Sequence, residues 1–278
     1  MSLSASIRNG GIDVLSNMLL GRYIPGDSFV HQMDPRAKIV SVLLFMVIVF
    51  FANHWLGYLM LILFMLSVIK IAQIDIFFLF NGLKLLFFIL IFTFLLHIFF
   101  TRGGTTLFEW GFIQIDSEGL ITGIYITIRL VMLLIVTTIL TLTTSPIELT
   151  DAIENLGAPL KRLKVPMHEL AMMISISLRF IPTLMDETEK IIKAQSARGS
   201  TFMTGKLKSR VNALIPIFIP LFISAFKRAE EMAVAMEVRG YKGEEGRTSY
   251  RELKWELKDT IAIIMIILFG VMLFLVRM

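Results

Sequence analysis

The 278-residue sequence predicts an all-α integral membrane protein with about five transmembrane helices and a charged region of one short and two long helices. Hydrophobic residues make up 56% of the chain and charged residues only 18%, against roughly 25% charged in an average globular protein. This composition indicates more apolar surface than one soluble core would hide. The apolar runs show no two-residue alternation, which favours helices over the strands of a membrane barrel.

Five apolar segments have the composition of membrane spans. The run 39–71 would measure about 50 Å as one helix at about 1.5 Å per residue, which exceeds the roughly 30 Å hydrocarbon layer. Asn53 and His54 interrupt this run, so we interpret it as two short helices joined by a tight turn. Arg36 and Lys38, just before it, are expected to extend towards the interface and lengthen the first helix. The predicted spans are 39–52, 55–71, 83–100, 120–142 and 260–276.

Glycines stand four residues apart at the start of the fourth span, at Gly119 and Gly123. Small residues with this spacing allow two membrane helices to approach closely. The signal is weak by itself, because small residues in membrane helices need no special purpose. The spacing would permit close helix packing at this end of the span.

The distribution of basic residues predicts the orientation in the membrane, because positive charge marks the cytoplasmic side. Segment 144–258 carries 18 Lys and Arg against 14 Asp and Glu, whereas segment 101–119 carries one Arg against three acids. The N-terminus and 144–258 are therefore expected in the cytoplasm of a multi-pass plasma-membrane protein, with the C-terminus outside. The corresponding division is 1–143 with four spans, 144–258 as the cytoplasmic-side region and 259–278 as the last transmembrane helix.

Segment 144–258 is predicted to hold three helices. The first is short and amphipathic, with Ser145 as N-cap, Pro146 in the first turn and Gly157 as its stop, and is expected to lie along the interface. Two longer helices, about 166–198 and about 208–239, each open with an apolar half and continue with a charged half. Each is predicted to kink at a proline; the two prolines are Pro182 and Pro220.

Both long helices end in Arg-Gly, as Arg198-Gly199 and Arg239-Gly240. One such pair is an ordinary stop signal, since Arg complements the helix dipole and Gly takes a left-handed cap. Its repetition at equivalent ends of two similar helices favours a pair of docking tips. Two protruding guanidinium groups suit bidentate contacts with carboxylates in two related clefts.

Taken in order, several motifs resemble those of the transmembrane T component of energy-coupling factor transporters, the EcfT family. The two Arg-Gly tips are the specific part of the resemblance. Val238 stands where a strict Ala-Arg-Gly would have Ala, while Arg239 and Gly240 keep the pattern. The matching segments are Asp34-Pro35-Arg36-Ala37-Lys38, Pro146-Ile147-Glu148-Leu149, Leu178-Arg179-Phe180-Ile181-Pro182-Thr183, Ala197-Arg198-Gly199, Ala229-Glu230-Glu231-Met232-Ala233 and Arg239-Gly240-Tyr241.

The resemblance implies an importer in which this chain is a scaffold that couples ATP-driven motion to the uptake of vitamins or other micronutrients. Its implied partners are two ATP-binding cassette ATPases and a membrane-embedded substrate-binding S component, of which several could be interchangeable. The tips Ala197-Arg198-Gly199 and Val238-Arg239-Gly240 would dock the ATPases. The apolar stretches 170–185 and 211–226 would hold the S component. Asp34, Pro35, Arg36, Pro182 and Pro220 would be structural family positions.

The residues do not support an enzymatic function. The nearest approach to a phosphate-binding P-loop runs from Gly199 to Lys206, is one residue too long, and has Leu207 in place of Ser or Thr. A zinc-protease motif at His168 fails because Met172 stands where the second His belongs. The chain has no Cys, which excludes thiolate chemistry. We therefore expect a non-catalytic subunit with no cofactor, no metal and no nucleic-acid partner.

The alternative from another class is a stand-alone secondary transporter or channel, which would place ionisable residues near the membrane midplane. Arg129 is the candidate, about 15 Å into the fourth span at helical rise. It could face the S component or the bundle interior as a polar site. The favoured interpretation is a structural arginine satisfied by backbone carbonyls. No acid in the neighbouring spans offers an obvious partner, so the role of Arg129 is left open.

Overall fold

The structure, a computed structural model, describes residues 23–75, 86–110, 113–163, 165–198, 207–243 and 253–277. Within these residues the chain is almost entirely helical, which confirms the predicted all-α fold. The elements are α1 (Pro35–Val49), α2 (Trp55–Ala72), α3 (Phe87–Phe100), β1 (Thr106–Trp110), β2 (Ile113–Asp116), α4 (Ser117–Thr143), α5 (Pro146–Leu156), a short 3₁₀ helix (Ala158–Leu163), α6 (Met167–Ala197), α7 (Leu207–Val238) and α8 (Leu257–Arg277).

Three helices of the described residues are long and apolar enough to cross a membrane, namely α2, α4 and α8. Helix α3 is apolar but has 14 residues, and the predicted start of its span, 83–85, lies outside the described residues. Helix α1 has 15 residues, or about 22 Å at helical rise, which is shorter than the hydrocarbon layer. The predicted interruption at Asn53 and His54 is confirmed, since α1 ends before it and α2 begins after it.

Residues 23–152 and 253–277 form one compact unit, and the described residues of 153–243 belong to a second. The core of the first unit comes from α1, α2, α4 and α8, whose fully buried side chains include Phe45, Leu61, Leu142 and Leu273. Stacked rings connect three of these helices, because Phe64 of α2 lies 5.7 Å from Phe45 and 4.3 Å from Phe269, centroid to centroid.

The two glycines of α4 lie against α3, as their spacing permits. A Cβ on Gly119 would come within 2.8 Å of the Thr101 carbonyl oxygen and 2.9 Å of that of His97. A Cβ on Gly123 would come within 3.1 Å of the Phe94 ring. Only glycine lets the two helices approach this closely, so the weak sequence signal identified a real packing site.

An antiparallel hairpin of β1 and β2 interrupts the connection between α3 and α4. The hairpin was not predicted from the sequence, in which 101–119 was interpreted as a connection without secondary structure. Polar contacts close its base: the Asp116 carboxylate accepts a hydrogen bond from the Gly103 amide (3.0 Å) and the Ser117 hydroxyl accepts one from the Thr105 amide (3.0 Å). Gly103 and Gly104 provide the positive φ angles, 139° and 74°, that the chain takes there.

The second unit contains α6 and α7, which pack against each other. Their bounds agree with the predicted 166–198 and 208–239 to within one residue. Helix α6 continues through Pro182, and α7 continues through Pro216 and Pro220, so the prolines do not end either helix. The predicted kinks, like the predicted division at residues 144 and 259, stay predictions.

Helix α5 begins as its sequence predicted. The Ser145 hydroxyl accepts a hydrogen bond from the Glu148 amide (3.3 Å), and the Glu148 carboxylate accepts one from the Ser145 amide (3.0 Å). This reciprocal pair is a capping box. The helix stops at Gly157, whose amide donates to the Ile153 carbonyl (2.8 Å). The side chain of Met167, at the start of α6, occupies the space that a Cβ on Gly157 would need.

Candidate coupling and docking site

The end of α7 forms a complete left-handed cap. The Gly240 amide donates to the Glu237 carbonyl (2.9 Å), and the Tyr241 amide donates to the Met236 carbonyl (3.0 Å). Gly240 itself has a φ of 72°. These two bonds and this φ define a Schellman motif, so the predicted role of Gly240 as the helix stop is confirmed.

The side chains at this tip face outward. The Arg239 amide donates to the Ala235 carbonyl (3.2 Å), while its exposed side chain makes no hydrogen bond or ion pair with the residues that the structure describes. Val238, beside it, is 82% exposed. Because the chain's own amides satisfy the last carbonyls of α7, the Arg239 guanidinium is not needed for the cap and stays available to bind another group.

The end of α6 carries the second tip. The Arg198 amide donates to the carbonyls of Ala194 (3.2 Å) and Gln195 (3.1 Å), which continues the helical bonding to its last turn. Ala197 and Arg198 are exposed, and the Arg198 guanidinium has no partner in the described ranges. Gly199 lies outside the described residues, so the cap predicted there stays a prediction. Among the described residues, neither arginine side chain has a partner, and each stands at the C-terminal end of one of two packed helices.

A polar contact joins α6 to α7 well before the tips. One oxygen of the Glu187 carboxylate accepts a hydrogen bond from the Ser224 hydroxyl (2.9 Å), and the other forms an ion pair with the Arg228 guanidinium. The Ser224 hydrogen bond is the main cause that lowers the pKa of Glu187 below its ordinary value, and Arg228 lowers it further. This contact was not predicted from the sequence.

The apolar halves of the two long helices are open. Within α6 and α7, only Ala171 and Ile217 are buried hydrophobic side chains among those described. Contiguous exposed apolar surface of this kind indicates contact with lipid or with another protein. In the apolar half of α7, six large side chains are between 48% and 64% exposed, namely Ile215, Phe218, Ile219, Phe222, Ile223 and Phe226.

The Asp-Pro-Arg motif caps the first helix. The Asp34 carboxylate accepts the Arg36 amide (2.8 Å) and pairs with the Arg36 guanidinium (3.1 and 2.8 Å), while Pro35 occupies the first turn. Burial by itself would raise the pKa of the Asp34 carboxyl, but the hydrogen bonds and charge of Arg36 outweigh it and lower that pKa. The motif is therefore a structural cap, as expected of a family position.

Asp259 completes this polar cluster and was not singled out by the sequence analysis. Its fully buried carboxylate accepts the Asp34 amide (2.9 Å) through one oxygen and the Glu256 amide (2.8 Å) through the other. A single side chain thus satisfies backbone donors at the N-termini of both α1 and α8. The available signal was an acid immediately before the last predicted span.

Arg36 and Lys38 do not extend to the interface as predicted. Arg36 donates to the Leu253 carbonyl (3.2 Å) and lies over the Trp255 ring, 5.8 Å from its centroid. Lys38 is 4% exposed and its ammonium donates to the carbonyls of His31 (2.9 Å) and Thr143 (2.8 Å). Both cations donate hydrogen bonds inside the first unit, because backbone carbonyls and the Asp34 carboxylate face them there.

Arg129 bonds to groups of the first unit rather than to an acid. Its guanidinium donates to the Tyr58 hydroxyl (2.9 Å) and the Ala52 carbonyl (3.3 Å), and lies 5.1 Å from the centre of the Phe50 ring. The Tyr58 ring stacks on Tyr125 at 4.4 Å. The guanidinium thus has one backbone carbonyl and one hydroxyl as acceptors, while its Nε is buried without a partner among the described residues, so the role of Arg129 stays a prediction.

Fold and site together define a multi-helix membrane protein with two long helices that end in free arginines. The family described as "CbiQ: Cobalt transport protein" matches residues 26–250. The energy-coupling factor transporter transmembrane protein EcfT of Bacillus subtilis is 53% identical over 264 residues, 95% of this chain and all of its own length. Its namesake in Macrococcus caseolyticus is 52% identical over 254 residues, covering 91% of this chain and 96% of its own.

A third relative of the same name, from Lactococcus lactis subsp. cremoris, is 48% identical and covers 94% of this chain and 98% of its own. Identity at this level over nearly full length shows the family directly. The chain belongs to the EcfT family of transmembrane components of energy-coupling factor transporters.

Proposed function

We propose that this chain is the scaffold of an ATP-driven importer, which transmits the motion of two ATP-binding cassette ATPases to a membrane-embedded substrate-binding S component. The observation that carries the proposal is the pair of free arginines, Arg198 and Arg239, at corresponding ends of two packed helices. A guanidinium offers five donors in a fixed fork, which suits bidentate binding of a carboxylate on a partner. Two similar tips suit two similar or identical ATPases.

The open apolar halves of α6 and α7 support the second part of the proposal. Residues such as Phe218 and Phe222 are more than 60% exposed, although the helix that carries them ends in a charged half. An S component embedded in the bilayer would cover this surface with apolar groups, and the hydrophobic effect would favour that contact. The cargo would be a vitamin or another micronutrient that the S component binds. This chain would bind no nucleotide.

The orientation completes the proposal: the chain lies in the plasma membrane with both tips in the cytoplasm, where ATP is available. The excess of Lys and Arg in 144–258 supports this orientation. The chain has no Cys, so a cysteine introduced at the exposed Ser196 is the sole labelling site. We expect a membrane-impermeant thiol reagent to label this position only when it is added to the cytoplasmic side.

The deciding experiment reverses both tip charges, as Arg198→Glu with Arg239→Glu, in the chain purified with its ATPases from membranes. Breaking a desolvated charge pair at an interface costs about 2–5 kcal/mol, so recovery of the ATPases should fall at least tenfold, while the chain still inserts. The matched control reverses two other exposed cations near the same tips, as Lys193→Glu with Lys242→Glu, and should keep the ATPases attached.

Two results would contradict the proposal. One is a double arginine variant that binds the ATPases and supports uptake as the unchanged chain does. The other is solute transport by the purified chain without any hydrolysing partner, which would favour the stand-alone secondary transporter or channel instead.

A further inference from the structure

The contact between α6 and α7 stands at the same distance from both tips. Glu187 precedes Arg198 by 11 residues, and Arg228 precedes Arg239 by 11 residues. Eleven residues of α-helix measure about 16 Å and make about three turns. Each tip arginine therefore lies on nearly the same helix face as the contact residue of its own helix, and the two arms from contact to tip have equal lengths.

The two arms are built as stiff rods. Neither 188–197 nor 229–238 contains a proline or a glycine, whereas Pro182, Pro216 and Pro220 all lie on the apolar side of the contact. Helices bend chiefly at such residues. A displacement of either tip should therefore reach the contact undiminished, and bending should occur only beyond it.

No residue of either arm is buried. The arms therefore share no fully buried core, although Ile191, Ile192, Met232 and Met236 are half-buried, so a change in their separation would break little apolar packing. At the contact, by contrast, Ser224 and Arg228 are four residues apart on one face of α7 and take the two oxygens of a single carboxylate. Because all these bonds converge on one carboxylate, α6 can turn against α7 while they persist.

We propose that Glu187, Ser224 and Arg228 form a pivot, defined by these three residues, through which movement of the tips is converted into movement of the apolar halves of α6 and α7. They act as positioning residues and do not bind the ATPases or the cargo. This inference rests on the proposed function, since it needs motors attached to the tips. It adds the point at which their motion is transmitted.

The test measures two distances in the complex purified with its ATPases, with and without ATP. One pair of spin labels, on cysteines at Ser196 and Val234, reports the tips, and a second pair, at Ile174 and Phe218, reports the apolar halves. All four positions are exposed or half-exposed. In the unchanged complex both distances should shift when ATP binds.

Glu187→Arg places two cations at the pivot. In this variant the distance between the labels on the apolar halves should no longer follow the distance between the labels at the tips. The tip distance should still respond to ATP, while the shift between the apolar halves falls to less than a third. Exchanging the charges, as Glu187→Arg with Arg228→Glu, restores the ion pair, and Ser224 can donate or accept; this variant should recover most of the shift. Glu187→Gln keeps an acceptor for Ser224 without the charge and should give an intermediate shift.

The matched control is Glu189→Gln, which removes an acid two positions away whose ion pair with Lys193 lies within α6. It should leave both shifts unchanged. Two results overturn the pivot alone. One is a full ATP-dependent shift between the apolar halves in Glu187→Arg. The other is an exchange variant that lacks this shift although its ATPases are attached. Absence of ATPases, or of any tip response to ATP in the unchanged complex, overturns the proposed function and the pivot with it.

Discussion

The two units of the molecule use polar residues in opposite ways. In the unit of residues 23–152 and 253–277, Asp34, Lys38 and Asp259 are each at most 5% exposed and join helix ends by hydrogen bonds. In the unit of 153–243, the polar contact at Glu187 is only half-buried. The first unit thus joins helix ends through buried polar groups, whereas the second joins its two long helices through a polar contact that solvent reaches; both units leave large apolar side chains exposed.

The largest effect is expected when the buried hydrogen bonds of the Asp259 carboxylate are removed from the first unit. Asp259→Ala leaves the amides of Asp34 and Glu256 without acceptors in a buried site. Losing charge-assisted bonds of this kind should cost about 3 kcal/mol. Thermal unfolding of the purified chain in detergent measures the loss. Lys258→Ala, which removes an ion pair with the exposed Glu256 (3.0 Å), is the control and should cost at most about 1 kcal/mol.

A comparable loss of unfolding free energy in both variants would contradict the distinction between the units. The buried hydrogen bonds of Asp259 would then stabilise the chain no more than a surface ion pair does. Asp259→Asn sharpens the comparison. It retains one acceptor oxygen, so its unfolding temperature should fall between those of the alanine variant and the unchanged chain.

Glycine substitutions give the next largest difference. Gly119→Ala would push a methyl group into the backbone carbonyls of Thr101 and His97, which cannot move without separating α3 from α4. Overpacking of this kind costs about 1–3 kcal/mol. Gly157→Ala, in the second unit, meets chiefly the flexible end of the Met167 side chain and should cost less. The same unfolding measurement ranks the two; the reverse order would show that the first unit is not the more rigid.

Acid should produce the smallest effect, at the contact between α6 and α7. The folded pKa of Glu187 lies below its ordinary value of 4.5, so its contact with Ser224 and Arg228 is present at neutral pH. It is lost as the pH falls through that lowered pKa. The distance between labels at Ser196 and Val234 should therefore be constant from about pH 8 to pH 5 and spread below that range.

Glu187→Gln is the control for the acid experiment, since it has no proton to gain at this position. Its label distance should be independent of pH. A spread that persists in Glu187→Gln would assign the acid effect to other groups and remove Glu187 as its cause.

Local signals predicted the helices well. The bounds of α6 and α7 were readable because Pro166 precedes one helix, Arg-Gly ends both, and apolar periodicity fills the space between. Ser145 and Glu148 predicted the start of α5 in the same way. These features act between residues that are close in the chain, so the positions of the helix ends can be predicted from a single sequence.

Contacts between distant residues escaped prediction. Asp34 and Asp259 are 225 residues apart, and Glu187 is 41 residues from Arg228. Nothing in their immediate sequence distinguishes them from solvated charges. Arg36 and Lys38 were placed at the interface for the same reason, because the carbonyls that bind Lys38 come from separate parts of the chain.

The bond from the Asp34 amide to Asp259 also has a consequence for synthesis. The ribosome makes α1 early and the acceptor for its first turn near the end of translation, since the carboxylate belongs to the last helix. A chain that ends before Asp259 would leave the Asp34 amide without this acceptor. The start of α1 is therefore capped in full only after the last helix has been made.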